Sequence, residues 1–327
     1  MLKRNLHQLI LAMALTVTLP FAFAQNTAPH WPTKPVKLLV PYAAGGPADV
    51  VARELALVLT ADLKQPVTVE NQGGGMGVPA LGVVARAEPD GHTLLLAAFG
   101  NMVLQPMLSK KGGADLVAKL KPVSTISTGP HVLVVSAKLP VKNIPELIDY
   151  ARANPGKVSF ASAGTGGTAH LGMEMFKALS KTDVIHVPYK GSAGAVNDLI
   201  SGEVSAMFSS LPSLQGLADK GLVKVLAATA PSKSNATKSL PLIGTALPGF
   251  DYTTWYAMYA PLATPKPVVD TINAALTKAL KTPSLVAKIE AAGTELQAGS
   301  PEEVQAWTQR DTDKWARVIR EAKIAVE

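Results

Sequence analysis

The chain has 327 residues, no cysteine and a formal net charge of +7 at pH 7. Without cysteine it can form neither a disulfide framework nor a thiolate metal site. Its basic residues are scattered along the sequence instead of clustered among aromatic residues, which argues against a nucleic-acid-binding surface. The length suits two domains, each of which is large enough to bury a core of its own.

The N-terminal segment has the pattern of a secretory signal peptide. Lys3 and Arg4 give it a basic start, residues 9–23 form an apolar run, and residues 22–24 (AFA) match the small-x-small cleavage pattern. The apolar run is shorter than a membrane-spanning helix usually requires. We therefore expect residues 1–24 to be a signal peptide that is cleaved on export. An uncut membrane anchor is the alternative.

From Val36 onward the hydrophobic pattern alternates between short strands and longer helices. Strands are predicted at residues 36–40, 67–70, 93–97, 158–160, 184–187, 204–208, 223–228 and 255–260. Helices are predicted at residues 48–63, 168–179, 193–200, 214–219, 267–280 and 301–324, with another that ends at Ala87 after the glycine cluster of residues 73–77. This alternation predicts an α/β fold in which mostly parallel sheets are flanked by helices.

Two glycine-rich turns, one in each half of the chain, follow a predicted strand and open a predicted helix. They are residues 41–49 (PYAAGGPAD) and residues 162–170 (SAGTGGTAH). A helix N-terminus carries unpaired N–H groups and the positive end of the helix dipole, so it is suited to bind an anion. Ligands of α/β sheets bind beyond the carboxyl ends of the strands, where both turns are predicted to lie. The sequence therefore predicts two lobes that close on a small molecule with a carboxylate group.

In the first turn we expect Tyr42, Gly46, Ala48 and Asp49 to contact the ligand. Glycine allows the backbone to approach a ligand closely, and the amides of Ala48 and Asp49 can bind a carboxylate directly or through water. The Asp49 side chain is a poor partner for an anion, so we interpret it as a first-turn acid that complements the helix dipole. Tyr42 either packs on the ligand or closes the core.

In the second turn the expected ligand contacts are Ser162, Thr165, Gly166, Thr168 and His170. The hydroxyl groups add donors to the backbone amides, so that a carboxylate can accept several hydrogen bonds at once. Thr168 is also a plausible N-cap of the helix. A phosphate-binding loop is disfavoured because the turn lacks the Gly-Lys-Ser/Thr ending.

A secreted serine hydrolase that uses Ser162 with His170 is an alternative hypothesis. The serine does not stand in a Gly-x-Ser-x-Gly elbow, and no motif supplies an acid to orient the histidine. The six histidines of the chain show no metal-binding spacing. We therefore expect no catalytic residue, no metal and no cofactor, and we interpret His170 as a packed or capping histidine.

Two further residues are predicted to lie on the rim of the same site. Asn101 follows a strand of the first half, and it either donates to a carboxylate or caps the next helix. Tyr189 follows a strand of the second half, within residues 187–191 (VPYKG), and is expected to contact an edge of the ligand.

A set of segments, taken in order, spans nearly the whole chain. They are residues 40–49, 69–71, 87–94, 162–170, 187–191, 247–250 and 260–265. Together they resemble the substrate-binding proteins of tripartite tricarboxylate transporters, also called the Bug family. The resemblance implies the two-lobed type II periplasmic-binding-protein fold, with a mostly parallel sheet and flanking helices in each lobe. It implies one lobe of residues 25–130 plus 254–327 and a second lobe of residues 131–253, joined by two hinge crossings.

The resemblance also implies a function. Members of this family capture small organic acids, amides or related solutes in the periplasm and pass them to a membrane permease. We therefore expect a small organic acid as ligand, permease subunits of a tripartite tricarboxylate transporter as partners, a monomeric protein, no nucleic acid partner and no enzymatic activity. A receptor that presents its ligand to a signalling partner is a further alternative, which the sequence does not separate from transport.

Overall fold

A computed structural model of the chain describes residues 31–108, 113–189, 192–291 and 294–321. The predicted signal peptide at residues 1–24 lies outside the described residues. Among the helices that are described, none is long and apolar enough to cross a membrane.

Strands and helices alternate along the described chain, as the sequence predicts. The strands are β1 (Val36–Val40), β2 (Val67–Asn71), β3 (Thr93–Ala98), β4 (Leu120–Gly129), β5 (Val132–Ser136), β6 (Ser159–Ser162), β7 (Ile185–Pro188), β8 (Ala206–Ser209), β9 (Val223–Ala228), β10 (Thr254–Pro261) and β11 (Glu295–Leu296). The helices are α1 (Pro47–Leu63), α2 (Val78–Ala85), α3 (Gln105–Leu108), α4 (Gly113–Val117), α5 (Ile144–Ala153), α6 (Thr168–Ser180), α7 (Ser192–Ser201), α8 (Pro212–Asp219), α9 (Ile243–Ala246), α10 (Lys266–Ala279), α11 (Pro283–Ala291) and α12 (Pro301–Glu321). A 3₁₀ turn at Gly75–Gly77 and a π-helical turn at Gly100–Leu104 complete the set.

The first sheet has six strands in the order β11-β4-β10-β3-β1-β2. β1 pairs in parallel with β2 and β3, while β10 lies antiparallel between β3 and β4. Because alternate residues of a strand face opposite sides, Leu38 belongs to a core formed with α1 and α10, and Leu39 belongs to a core that includes α2. Helices therefore cover both faces of this sheet.

The second sheet has five strands in the order β7-β6-β8-β5-β9. β6 is parallel to β7 and β8, whereas β5 lies antiparallel between β8 and β9. Both sheets are thus mixed, which corrects the expectation of mostly parallel sheets. The reason is that β4 continues almost directly into β5, and β10 carries the chain back to the first sheet. β5 and β10 each enter their sheet from the other sheet. They therefore need no crossover helix and can run antiparallel to their neighbours.

The predicted fold class, a two-lobed α/β architecture, is confirmed. β4 ends at Gly129 in the first sheet, and β5 begins at Val132 in the second sheet. The chain returns to the first sheet between β9 and β10. The lobe boundaries at residues 130/131 and 253/254 stay predictions.

A cluster of aromatic side chains packs where the returning chain meets the first sheet. The ring centroid of Trp315 lies 5.7 Å from that of Phe99 and 5.9 Å from that of Tyr252. Trp255 Nε1 donates a 2.6 Å hydrogen bond to Asp311 Oδ2. Trp255 and Trp315 are both fully buried, so they pack in the core.

We expect Trp315→Ala to lower the free energy of unfolding by about 3–5 kcal/mol, because it leaves a large cavity in a close-packed cluster. Trp307→Ala is the matched control, since Trp307 lies on the same helix and is only partly buried. Its loss should be clearly smaller. Urea unfolding of the two variants measures both values, and equal losses would contradict the assignment of Trp315 to the core.

Candidate functional site

Each glycine-rich turn ends in a helix whose N-cap is a glycine. Gly46 precedes α1 and Gly167 precedes α6, and neither helix receives a hydrogen bond from a capping side chain. Thr168 is the first helical residue, so the alternative interpretation, in which it caps the helix, is wrong. The extended backbone of Gly167 (φ −75°, ψ 168°) takes the N-cap position instead. The Thr168 hydroxyl is therefore not used for capping.

The first amides of both helices are available to a ligand. In the described part of the chain, no acceptor is bonded to the N–H groups of Ala48 and Asp49 in α1 or of Thr168 and Ala169 in α6. Unpaired N–H groups at a helix start carry partial positive charge and favour an anion. Both turns therefore present backbone donors, but Pro47 leaves α1 without the first-position N–H that Thr168 supplies in α6.

Both turns are held in shape by the same local hydrogen bond. Asp49 Oδ2 accepts from the Gly45 N–H at 2.8 Å, and His170 Nδ1 accepts from the Gly166 N–H at 3.0 Å. In each case the third helical residue reaches back to a glycine four positions earlier. The two glycines have φ of 82° and 78°, values that glycine adopts without strain. Residues 45–49 (GGPAD) and 166–170 (GGTAH) thus share one design, a variation on the capping box.

The Asp49 carboxylate is directed into its own turn. It is buried, and besides Gly45 it binds Arg53 Nε at 2.9 Å. Although burial alone raises the pKa of a carboxyl group, the hydrogen bonds from Arg53 and Gly45 hold the pKa of Asp49 below its usual range. Arg53 also donates to Asn71 Oδ1 at 3.1 Å, which connects the turn to β2. This agrees with the interpretation of Asp49 as a first-turn acid.

Asn101 connects the end of β3 with the 3₁₀ turn at Gly75–Gly77. It is buried, its Oδ1 accepts from the Ala98 N–H at 3.1 Å, and its Nδ2 donates to the Met76 carbonyl at 2.9 Å. Tyr42 lies beside it, and burial raises the pKa of the Tyr42 phenol well above its ordinary value. Tyr42 therefore remains a neutral hydroxyl group next to the cleft.

The second turn is connected to a group of side chains on β6, β7 and α6. His186 Nε2 lies 2.7 Å from Ser162 Oγ, and the rings of His186 and His170 stack with centroids 3.9 Å apart. His170 Nε2 lies 3.6 Å from Glu174 Oε1, and this imidazole holds the pKa of the Glu174 carboxyl below its usual range. Ser162 Oγ also donates to the Gly164 carbonyl at 2.9 Å. These contacts hold the second turn through the side chains of Ser162 and His170, and they leave the first amides of α6 unbonded.

The sequence analysis missed two residues of this group, Glu174 and His186. His186 is the partner of Ser162. Its partnership with Ser162 follows from the parallel register of β6 and β7, which places Phe160 opposite His186. Residues two apart on a strand share a face, so Ser162 and His186 lie on the same side of the sheet. Sequence alone offers no signal for this register.

The geometry does not support the hydrolase hypothesis. Ser162 is buried, and its histidine partner is His186 instead of His170. Because a hydroxyl has one hydrogen, a bond donated to the Gly164 carbonyl requires His186 Nε2 to act as the donor to Ser162. A histidine in that tautomer is not a base for the serine. Among the described residues, moreover, no group of three or more histidine, aspartate and glutamate side chains could hold a metal.

Tyr189 and Thr165 occupy the outer side of the second turn. The Tyr189 N–H donates to the Ser162 carbonyl at 2.9 Å, and its hydroxyl donates to Asp198 Oδ2 at 2.5 Å. Burial and the Asp198 carboxylate raise the pKa of Tyr189 to about 12. Thr165 is exposed. The Tyr189 ring is thus held in place, and Thr165 is open to solvent.

The two turns approach each other at Gly100. A Cβ atom placed on Gly100 would lie 3.6 Å from Thr168 Oγ1 and 3.8 Å from the Tyr42 hydroxyl oxygen. The structure therefore brings Tyr42 and Thr168, one from each lobe, close to Gly100. The side chains of Asp49, Ser162 and His170 instead bond their own turns, and that of Asn101 bonds the backbone of Ala98 and Met76.

Comparison with known proteins places this chain in a defined group. A family model described as tripartite tricarboxylate transporter family receptor matches residues 51–324. The chain is 33% identical over 322 residues to the UPF0065 protein in the tcbD-tcbE intergenic region of Pseudomonas sp. (strain P51), which covers 97% of this chain and 94% of that protein. It is 31% identical to protein BugT of Bordetella pertussis, with 97% of this chain and 98% of that protein covered.

Two similar solved structures hold small acids. R. palustris Rpa4515 with adipate has a TM-score of 0.85 and 32% identity, and the match covers 90% of this chain and 99% of that chain. MatC from Rhodopseudomonas palustris with bound malate has a TM-score of 0.80 and 28% identity, and the match covers 88% of this chain and 100% of that chain. Both ligands are dicarboxylates.

The histidine group predicts a pH-dependent stability. Burial, together with the neighbouring His170, lowers the pKa of His186 to about 4 from an ordinary value of 6.5. The unfolded chain then takes up this proton at higher pH than the folded chain does. The free energy of unfolding should therefore fall as the pH is lowered from 6.5 toward about 4, and His186 should contribute no pH dependence well above 6.5.

In His186→Gln, which keeps a side-chain amide near Ser162, this decrease should be smaller. Urea unfolding at about pH 8 and about pH 5 measures it in both proteins. Burial lowers the pKa of His131 to about 4 as well, but that group is common to both proteins and cancels in the comparison. An equal decrease in wild type and variant would show that His186 is not the group responsible.

Proposed function

Because this chain is a member of the tripartite tricarboxylate transporter receptor family, also called the Bug family, we propose that it captures a small dicarboxylate in the periplasm and delivers it to permease subunits. The observation that carries the proposal is the pair of uncapped helix starts that approach each other at Gly100. Each offers unpaired amides to an anion, and each is held in place before the ligand arrives.

The two turns suit two carboxylate groups. In the first lobe the amides of Ala48 and Asp49 would receive one carboxylate, directly or through water. In the second lobe the Thr168 hydroxyl and the amides of Thr168 and Ala169 would receive the other. Adipate and malate, the acids named for two similar structures, each carry a carboxylate at both ends. A dicarboxylate would therefore bridge the lobes and favour their closure.

Closure and delivery would involve no covalent change. The lobes would rotate about the chain crossings between β4 and β5 and between β9 and β10, while each sheet stays rigid. A ligand that bridges both turns has differential affinity for the closed arrangement, so it shifts the equilibrium toward that state. The permease would then recognise the closed receptor. Residues 1–24 would direct export, and the receptor would act as a monomer.

A ligand screen tests this function directly. We expect succinate, malate or adipate to raise the melting temperature of the protein without residues 1–24. A ligand at about a hundred times its Kd stabilises the fold by roughly 2.7 kcal/mol, which is easily detected. If no acid in a panel of mono-, di- and tricarboxylates changes the melting temperature, the carboxylate assignment fails.

Thr168→Ala tests the second turn. The variant removes one hydroxyl donor but keeps the amides, and the helix does not depend on Thr168 for its N-cap. A hydrogen bond to a charged group contributes about 1.5–3 kcal/mol, so Kd for the best acid should rise roughly 10- to 150-fold. Isothermal titration calorimetry measures this change.

Two variants serve as controls for Thr168→Ala. Thr168→Ser keeps the hydroxyl and should restore most of the affinity. Thr271→Ala removes a hydroxyl that bonds the Pro267 carbonyl on an exposed face of α10, so its Kd should equal that of wild type. A Kd within about twofold of wild type for Thr168→Ala would remove this hydroxyl from the site.

A further inference from the structure

Met76 has a backbone conformation that its side chain disfavours. Its φ and ψ are 53° and 25°, in the left-handed region, and it stands in a run where Gly74, Gly75 and Gly77 also have positive φ. Residues with a Cβ are destabilised in this region. Among the described residues, the other non-glycine residues with positive φ are Lys64 and Lys181, which end helices where this conformation is common. Met76 has no such explanation.

The surroundings of Met76 hold it in this conformation. Asn101 Nδ2 donates to its carbonyl at 2.9 Å. A Cβ on the next residue, Gly77, would lie 2.6 Å from the same Asn101 nitrogen and 2.8 Å from Pro41 Cβ. The hydrogen bond from Asn101 and the lack of space beside Gly77 therefore restrain the backbone at Met76. Strain that is retained in this way is typical of functional positions.

The Met76 side chain reaches the glycine-rich turn of the other lobe. A Cβ on Gly166 would lie 2.8 Å from Met76 Cε and 2.9 Å from Met76 Sδ, and 3.3 Å from Leu108 Cδ1. The thioether thus packs on the backbone of Gly166, whose N–H is bonded to His170. Met76 is a side chain of the first lobe that contacts the turn of the second lobe at a point distinct from Gly100.

From this geometry we infer that Met76 is a specificity-determining residue, a wall of the cleft that limits the length of the acid held between the two turns. This inference rests on the proposed function. With Leu108 the thioether forms an apolar surface. Such a surface offers no hydrogen bond to a carboxylate group, but it can pack against a hydrocarbon chain. A longer acid would need the volume that Met76 fills. Methionine is flexible and polarizable, so small differences in chain length remain tolerated.

Met76→Gly separates this role from a structural one. The substitution removes the wall and also relieves the backbone conformation, so the unliganded variant should fold normally. Lys64→Gly is the matched control, because it relieves the same conformation at the end of α1, away from the cleft. Calorimetric titration with succinate, adipate and suberate, three linear diacids of increasing length, gives the selectivity of each protein.

We expect the affinity ratio of suberate to succinate to rise about tenfold or more in Met76→Gly, since one methylene in a fitted pocket changes discrimination roughly 10- to 200-fold. Met76→Ala should give a smaller rise, and Lys64→Gly should keep the wild-type ratio. A ratio in Met76→Gly that equals wild type overturns the inference even though the receptor binds acids. Failure of wild type and every variant to bind any diacid overturns the proposed function and the inference together.

Discussion

The proposed binding site depends on two helix starts that lack a capping side chain. Most helices satisfy their first amides with Ser, Thr, Asp or Asn at the N-cap, whereas α1 and α6 have Gly46 and Gly167 there. The side chain that reaches back lies three positions after the N-cap instead: Asp49 and His170 bond the N–H groups of Gly45 and Gly166 in the turn. Buried amides without a partner are unfavourable until an anion or water binds them, and in the proposed function this would favour a carboxylate.

The remainder of the fold determines the relative position of the N-termini of α1 and α6. Each begins beyond a strand of a different sheet, so the relative position of the sheets sets the span between the turns. On the side of the chain crossings, the packing of Trp315 against Phe99 and Tyr252 connects the sheets through aromatic contacts. Glu295 adds a polar connection, because its Oε1 on β11 accepts from Ser232 Oγ at 2.8 Å in the loop after β9. Apolar packing and a carboxylate contact therefore act together at the hinge side.

The sequence predicts the parts of this structure that depend on local pattern. The apolar run of β1 and the periodicity of α1 are both found, and both glycine-rich turns open helices as expected. β4 was not predicted, because the fully buried Ser124 and Thr125 make it read as polar. Their hydroxyls bond the carbonyls of Gly299 and Gln297, 175 and 172 residues away, and no local pattern reveals such partners. His186 was missed for a similar reason, since its contact with Ser162 depends on the register of two strands.

The duplicated turn also bears on the order of events during capture. Each turn is held by a contact between residues four positions apart, so it forms within its own lobe and needs nothing from the other one. In an open receptor, each lobe would then already carry its own complete turn. One end of an acid could bind to this turn before the lobes close. Little conformational entropy would be lost in that step, because the turn is already ordered. The encounter rate would depend on a single lobe, whereas the lifetime of the complex would depend on both.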